Sequence, residues 1–378
     1  QDALAEAARI IGPEFLLKIS LHDDLGDNAR SAIKKMTDAA KAKIQSPDQI
    51  KRAIEQLAGD GVDANLGANR TLLRGGEASV KLLVEAIASG LPRKQLTKAL
   101  SVLQSLGDGG QQALEQLALY GVPSARANSL DALARIDRQQ ATDSLVTAAF
   151  AGDSTETERS IARSASVIPD QYETLDAVAL LAEKLRHAVE VASHTRNDLS
   201  PATIWSVDAN QIGVTPTRST EFFLSYRDAY DASQRLRRVG SLPASVARDV
   251  LAADLAYRLV VDIDWGDPEQ LNQLRSSYGS AISSEELLIA IDEQRQREQV
   301  PATLGLIRVL ADLASEVPNV REVLRGRETN FAPIVDAVRD PHPRVRYEAA
   351  ALIAGLGAGA ASEMSFPGVS YYRRTLSE

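Results

Sequence analysis

Residues 333–353 read Pro333-Ile334-Val335-Asp336-Ala337-Val338-Arg339-Asp340-Pro341-His342-Pro343-Arg344-Val345-Arg346-Tyr347-Glu348-Ala349-Ala350-Ala351-Leu352-Ile353. An apolar helical stretch ends at an Asp-Pro turn. A second helix, rich in Ala and Leu, opens at Val345-Arg346. The Asp-Pro step stops the first helix because proline restricts the residue before it and brings no N–H of its own. Asp340 is placed to accept hydrogen bonds from backbone donors at the turn. One such helix pair cannot bury both of its faces alone, so neighbouring pairs must stack.

Similar patterns lie upstream. Leu96-x2-Ala99-Leu100-x-Val102-Leu103-x2-Leu106 is matched by Arg126-x2-Ser129-Leu130-x-Ala132-Leu133-x2-Ile136, and a weaker copy runs from Ile161-Ala162 to Ile168. The equivalent positions Leu100, Leu130 and Ala162 are 30 and 32 residues apart, room for two helices and two turns. Turns fall at Gly90-Leu91-Pro92, Gly107-Asp108, Gly121-Val122-Pro123 and Gly152-Asp153. Composition agrees: aromatics are 4% of the 378 residues, thin for a β-sandwich and well suited to Ala/Leu helices. The expected fold class is all-α, an α-solenoid with a right-handed superhelix. One exception interrupts it. Trp205 and Val207, then Ile212 and Val214, alternate around Asp208-Ala209-Asn210, which predicts a β-hairpin lying on neighbouring helices.

The 333–353 stretch resembles the HEAT repeat, and the chain as a whole is similar to bacterial HEAT-repeat proteins. The resemblance implies that Asp340 and Arg346 belong to an Asp/Arg ladder between repeats, with Arg126 at the arginine position of an upstream copy. It also implies binding and no chemistry. Residues 252–268, through Ala252-Ala253-Asp254-Leu255-Ala256-Tyr257 and the acidic turn Asp264-Trp265-Gly266-Asp267-Pro268, resemble a tetratricopeptide unit instead. The chain is expected to divide into an N-terminal helical module (1–75), a repeat array (76–195), a hairpin insertion (196–218), a tetratricopeptide-like segment (219–300), C-terminal repeats (301–360) and a tail or linker (361–378).

With 42 basic and 51 acidic residues the net charge is −9, which gives the chain no global attraction to nucleic acid. Cysteine is absent, so disulfides, zinc–thiolate sites and thiol nucleophiles are excluded. The sequence has no Gly-x-Ser-x-Gly elbow and no phosphate-binding Gly-x4-Gly-Lys-Ser/Thr loop. Gly355-x-Gly357-x-Gly359 follows a helix and reads as a helix stop and linker. The stretch from Asp262 departs from a calcium loop at three positions, with Gly266 in place of an acid or Asn, Asp267 in place of Gly and Gln273 in place of Glu, and reads as a turn capped by Asp267 with Pro268 at the first helical position. His187, Glu190 and His194 share one helix face, but two turns separate the histidines, about 10.5 Å, too far for one metal. His22-Asp23-Asp24 reads as a solvated loop. One basic stretch, Arg30, Lys34, Lys35, Lys41, Lys43, Lys51 and Arg52, is opposed only by Asp38 and Asp48. Such a stretch can meet phosphate or an anionic surface, and a solvated helix face is the plainer reading.

These features predict a scaffold that binds protein partners without catalysis. Candidate contact residues are Arg126, Arg159 and Arg346 on second helices and Trp205 in the hairpin, though packing roles compete for Trp205 and Arg346. No catalytic residue, metal or cofactor is expected, nucleic acid is disfavoured, no segment spans a membrane, and a monomer is favoured. Two other readings stand beside this one. One is a structural or adaptor arm of an exported envelope protein, with a signal peptide ahead of Gln1; without such a peptide the compartment would be the cytoplasm. The other is a helical-repeat enzyme, of the DNA glycosylase or bilin lyase type.

Overall fold

The computed structural model describes residues 2–22, 26–59, 61–165, 168–169, 171–279, 283–314, 332–356 and 368–377. They are mostly helical, with one small two-stranded antiparallel sheet. The chain forms two compact units. The first comprises Gln1–Ala149, Ser154–Pro169 and Thr203–Thr217; the second comprises Phe150–Asp153, Asp170–Ala202 and Arg218–Glu378.

The first unit opens with α1 (Asp2–Ile11), α2 (Pro13–Ser20) and α3 (Asp27–Ile44). Gly12, at φ 88°, makes the sharp break between α1 and α2, and Pro13 then occupies a first helical turn. There follow α4 (Pro47–Gln56), α5 (Val62–Gly75), α6 (Glu77–Ala88), α7 (Arg93–Ser105), α8 (Gly109–Tyr120), α9 (Pro123–Ile136), α10 (Thr142–Phe150) and α11 (Glu156–Ser164). Alternate helices start 30 to 33 residues apart, at 47, 77, 109 and 142, and at 62, 93, 123 and 156. That is the spacing expected from Leu100, Leu130 and Ala162. Side chains cross-link the pairs: Gln95 donates to the Ile54 carbonyl at 2.8 Å, Lys98 to Leu57 at 2.9 Å and Asn128 to Ala88 at 2.8 Å.

The boundary expected near residue 75 is not there. Ile50, Leu57 and Leu72 share one buried core with Leu83, Leu103, Leu117 and Leu133. The Gly-rich stretch that imitates a linker is a tight corner: Gly76 sits at φ 55°, which lets α5 turn directly into α6.

The hairpin forms as expected, from β1 (Pro201–Val207) and β2 (Val214–Thr220). It is part of the first unit from Thr203 to Thr217 and not a separate insertion. Trp205 and Val214 enter the helical core. The Val122 N–H donates to the Gln211 carbonyl, and Thr203 donates to Glu77 at 2.9 Å. Asp208 and Asn210 accept the Gly213 N–H and hold the turn.

The second unit contains α12 (Thr174–His194), α13 (Glu221–Val239), α14 (Ala244–Val261), α15 (Pro268–Tyr278), α16 (Ser284–Gln296), α17 (Val300–Ala314), α18 (Pro333–Ala337), α19 (Pro343–Leu356) and α20 (Val369–Ser377). Each of α12, α13, α14, α17 and α19 packs on the next in that order. Gly305 permits the α14–α17 approach, since a Cβ there would lie 2.7 Å from Leu255 Cβ. Asp267 caps α15 in a reciprocal capping box with Gln270, as the sequence implied. Ion pairs join elements two helices apart: Arg248 on α14 with Glu286 and Glu293 on α16, Arg295 on α16 with Asp340 just after α18, and Arg308 on α17 with Glu348 on α19.

Residues 369–377, expected as tail or linker, are instead the helix α20. Its Tyr372 belongs to the unit's buried core, and Thr375 donates to the Val338 carbonyl. Gly355, expected as a helix stop, lies in the last turn of α19, while Gly357 and Gly359 fall outside the described residues.

Candidate functional site

Two of the four expected contact residues face inward. Arg126 is buried on α9 and forms a two-pronged pair with the fully buried Glu158 on α11, 2.6 Å from Nε to Oε1. Glu158 also accepts the Thr155 N–H as half of a capping box. Burial alone would raise the Glu158 carboxyl, but the Arg126 guanidinium and the Thr155 donors outweigh it and hold it below its ordinary value. Trp205 is likewise buried. Neither offers its side chain to a partner, because the core claims both. Arg159 is half-buried on α11. Among the described residues Arg346 has no acidic partner. Its guanidinium donates to the carbonyls of Asp340 and Pro341 and locks the Asp-Pro turn. Asp340 accepts the His342 N–H, as expected, and also pairs with Arg295, 45 residues upstream, at 3.0 Å. The helix-joining role thus belongs to Asp340 with Arg295.

Of the histidine set, His194 Nδ1 lies 2.8 Å from the Glu190 carbonyl on its own helix. Among the described residues no group of three or more His, Cys, Asp or Glu side chains could hold a metal. Asp23 and Asp24 fall outside the described residues. No described helix is long and apolar enough to cross a membrane.

A surface open to a partner lies on α1, α2 and α3. Ala8, Leu16 and Ile33 form a small buried cluster, separate from the main core of the unit. Above it is a groove of about 1000 Å3, walled by Ala5, Leu17, Ala40 and Ile44. Its polar margin carries Arg30, Lys34, Lys43 and Arg74 against Glu6 and Asp38. Large apolar side chains on α1, α2 and the residue after them are strongly exposed: Ile10 at 72%, Phe15 at 57%, Leu17 at 62% and Leu21 at 74%. A soluble domain seldom leaves so much apolar surface uncovered within a dozen residues.

The geometry follows from the three short helices. α3 is mostly polar and buries only Ile33 and Ala39 along its length, so its cations stand at the edge of the apolar strip. α1 and α2, broken at Gly12-Pro13, supply the opposite wall. An apolar floor with a net basic rim, in a chain of net charge −9, suits the apolar face of a helix flanked by acidic residues. Three of these cations, Arg30, Lys34 and Lys43, stand out in the sequence as a basic stretch. The apolar half does not, since Leu16, Leu17, Ile33 and Ile44 read as ordinary core positions until the helix packing shows which of them remain open. Comparison of the chain with protein-family models, with curated proteins and with solved structures gave no match.

Proposed function

We propose that this chain is a non-catalytic binding scaffold built from stacked helix pairs, an α-solenoid. Its first working surface is the groove of α1–α3, and its partner is a protein carrying an acidic amphipathic helix. The observation that carries this is the uncovered apolar strip beneath a basic margin. Cross-links between helix pairs of the first unit add support, because they hold a framework beside which the groove's soft apolar surface stands apart. The 30- to 33-residue spacing of helix starts is shorter than the roughly 40–47 residues of HEAT units and nearer the 34 of tetratricopeptide units. Such arrays work through surface shape and patterned charge, with no reacting group required.

The test is an unbiased one. Random 20-residue peptides are displayed and selected against residues 1–378. The expected winners are amphipathic helices with Glu or Asp beside an apolar stripe, and they lose binding to Leu17→Asp. Leu17 is exposed, so that change leaves the fold intact. Selection of basic or unpatterned peptides, or retention of binding by Leu17→Asp, would overturn the proposal.

A further inference from the structure

A second concavity, in the second unit, is built differently. It measures about 330 Å3 and lies between α12, α13, α14 and the junction of α16 with α17. That size falls at the small end of the range for ligand pockets. Its walls are opened by small residues: Ala192, Ala252, Ala253, Ala256 and Ala302.

Three of its polar lining side chains are buried. Gln294 is 2% exposed, Gln299 6% and Tyr226 5%. A buried carboxamide or hydroxyl is ordinarily satisfied, since leaving it without a partner costs roughly 1–3 kcal/mol. No side chain or backbone group among the described residues hydrogen-bonds the two carboxamides or the Tyr226 hydroxyl, although all three side chains are more than nine-tenths buried. All three residues line the pocket. Burial raises the Tyr226 hydroxyl above its ordinary range and keeps it a donor.

The backbone holds these groups in place. Glu298 adopts φ 56°, a left-handed conformation rarely taken by a non-glycine residue. It reverses the chain so that the Gln299 N–H donates to the Gln294 carbonyl, while Thr303 donates to the Gln299 carbonyl. Both glutamines are thereby fixed at one end of the pocket.

The charged lining residues cancel. Arg297 pairs with Asp249 at 2.8 Å, and the remaining charged lining residues are one cation and one anion, Arg186 and Glu190, both on α12. Nothing in that balance selects a phosphate or a free carboxylate. The uncharged interior groups select a neutral partner. A carboxamide donates and accepts at once, so its natural complement has a donor beside an acceptor.

We propose that this pocket binds a small net-neutral molecule with an amide-type edge, such as a carboxamide, lactam or nucleobase edge, on a compact apolar body. Gln294 and Gln299 would read that edge and the alanines would receive the body. The site is independent of the α1–α3 groove.

Saturation-transfer NMR on the full chain tests this with two probes of equal size. Benzamide carries the edge; benzoate carries a charge in its place. Benzamide is expected to bind and benzoate to bind at least about tenfold more weakly, as expected when a charge enters a site whose own charges already cancel. Gln294→Leu should weaken benzamide about tenfold, checked against an unchanged circular dichroism melt. Ser193→Phe, on the half-buried wall, blocks the space and leaves the carboxamides in place, so it reports even where Gln294→Leu fails to fold. Equal binding of benzoate, no binding of benzamide, or benzamide binding untouched by Ser193→Phe would each overturn the proposal.

Discussion

At the scale of single residues, the Arg126–Glu158 pair decides most. A buried pair contributes little net stability when intact, yet breaking it leaves an uncompensated charge. Arg126→Ala should therefore lower the stability of the first unit by about 3–5 kcal/mol, read from urea denaturation. Arg126→Met combined with Glu158→Leu should restore most of that loss, because two apolar side chains replace two charges. The pair also sets an acid limit. The Glu158 carboxyl is held below its ordinary 4.5, so its contribution is complete above that pH and fades as pH falls through the lower folded value. The urea midpoint of the wild type should fall below about pH 4.5, and Glu158→Gln should flatten that part of the profile. Helical spacing pointed to the Arg126 position. Its inward direction was not legible, because the partner that turns it inward, Glu158, lies 32 residues away in a weakly patterned copy.

At the scale of elements, two close approaches matter. Trp205 fixes the hairpin to the helices, with its indole beside Gly109, where a Cβ would lie 3.4 Å from Nε1. Trp205→Ala should cost about 3–5 kcal/mol and release the hairpin to proteolysis. Gly305→Ala forces a methyl against Leu255. Alanine favours a helix over glycine by about 1 kcal/mol, but overpacking by about 1–3 kcal/mol should outweigh it. A net loss in thermal midpoint is expected; a gain would mean that α14 and α17 stand further apart. The hairpin was legible from strict alternation, since period two has no helical explanation here. The helix α20 was not, because Val369, Tyr371 and Tyr372 make too short an apolar pattern to separate a docked helix from a tail. Only the packing of Tyr372 decides between them.

At the scale of the whole molecule, charge and apolar exposure oppose each other. The chain is acidic overall, so an acidic partner meets net repulsion, which the cations of the α1–α3 margin offset locally. Binding there should weaken as salt screens the attraction, roughly tenfold or less between 50 and 300 mM, because the apolar floor is not screened. The all-α class and the helix spacing followed from punctuation by Gly and Pro and from recurrent Ala/Leu stretches. The division into two units did not, since Thr203–Thr217 returns to the first unit after α12 has begun the second. No local signal encodes such a return.

The most direct measurement is a charge-swap titration by fluorescence anisotropy. A selected acidic amphipathic peptide is titrated with the wild type and with Lys34→Glu, an exposed change on the groove margin. Binding should drop about five- to tenfold in Lys34→Glu and return when one facing Glu of the peptide becomes Lys, the behaviour of a direct charge contact. If Lys34→Glu binds the original peptide as tightly as the wild type, the groove of α1–α3 is not where the partner sits.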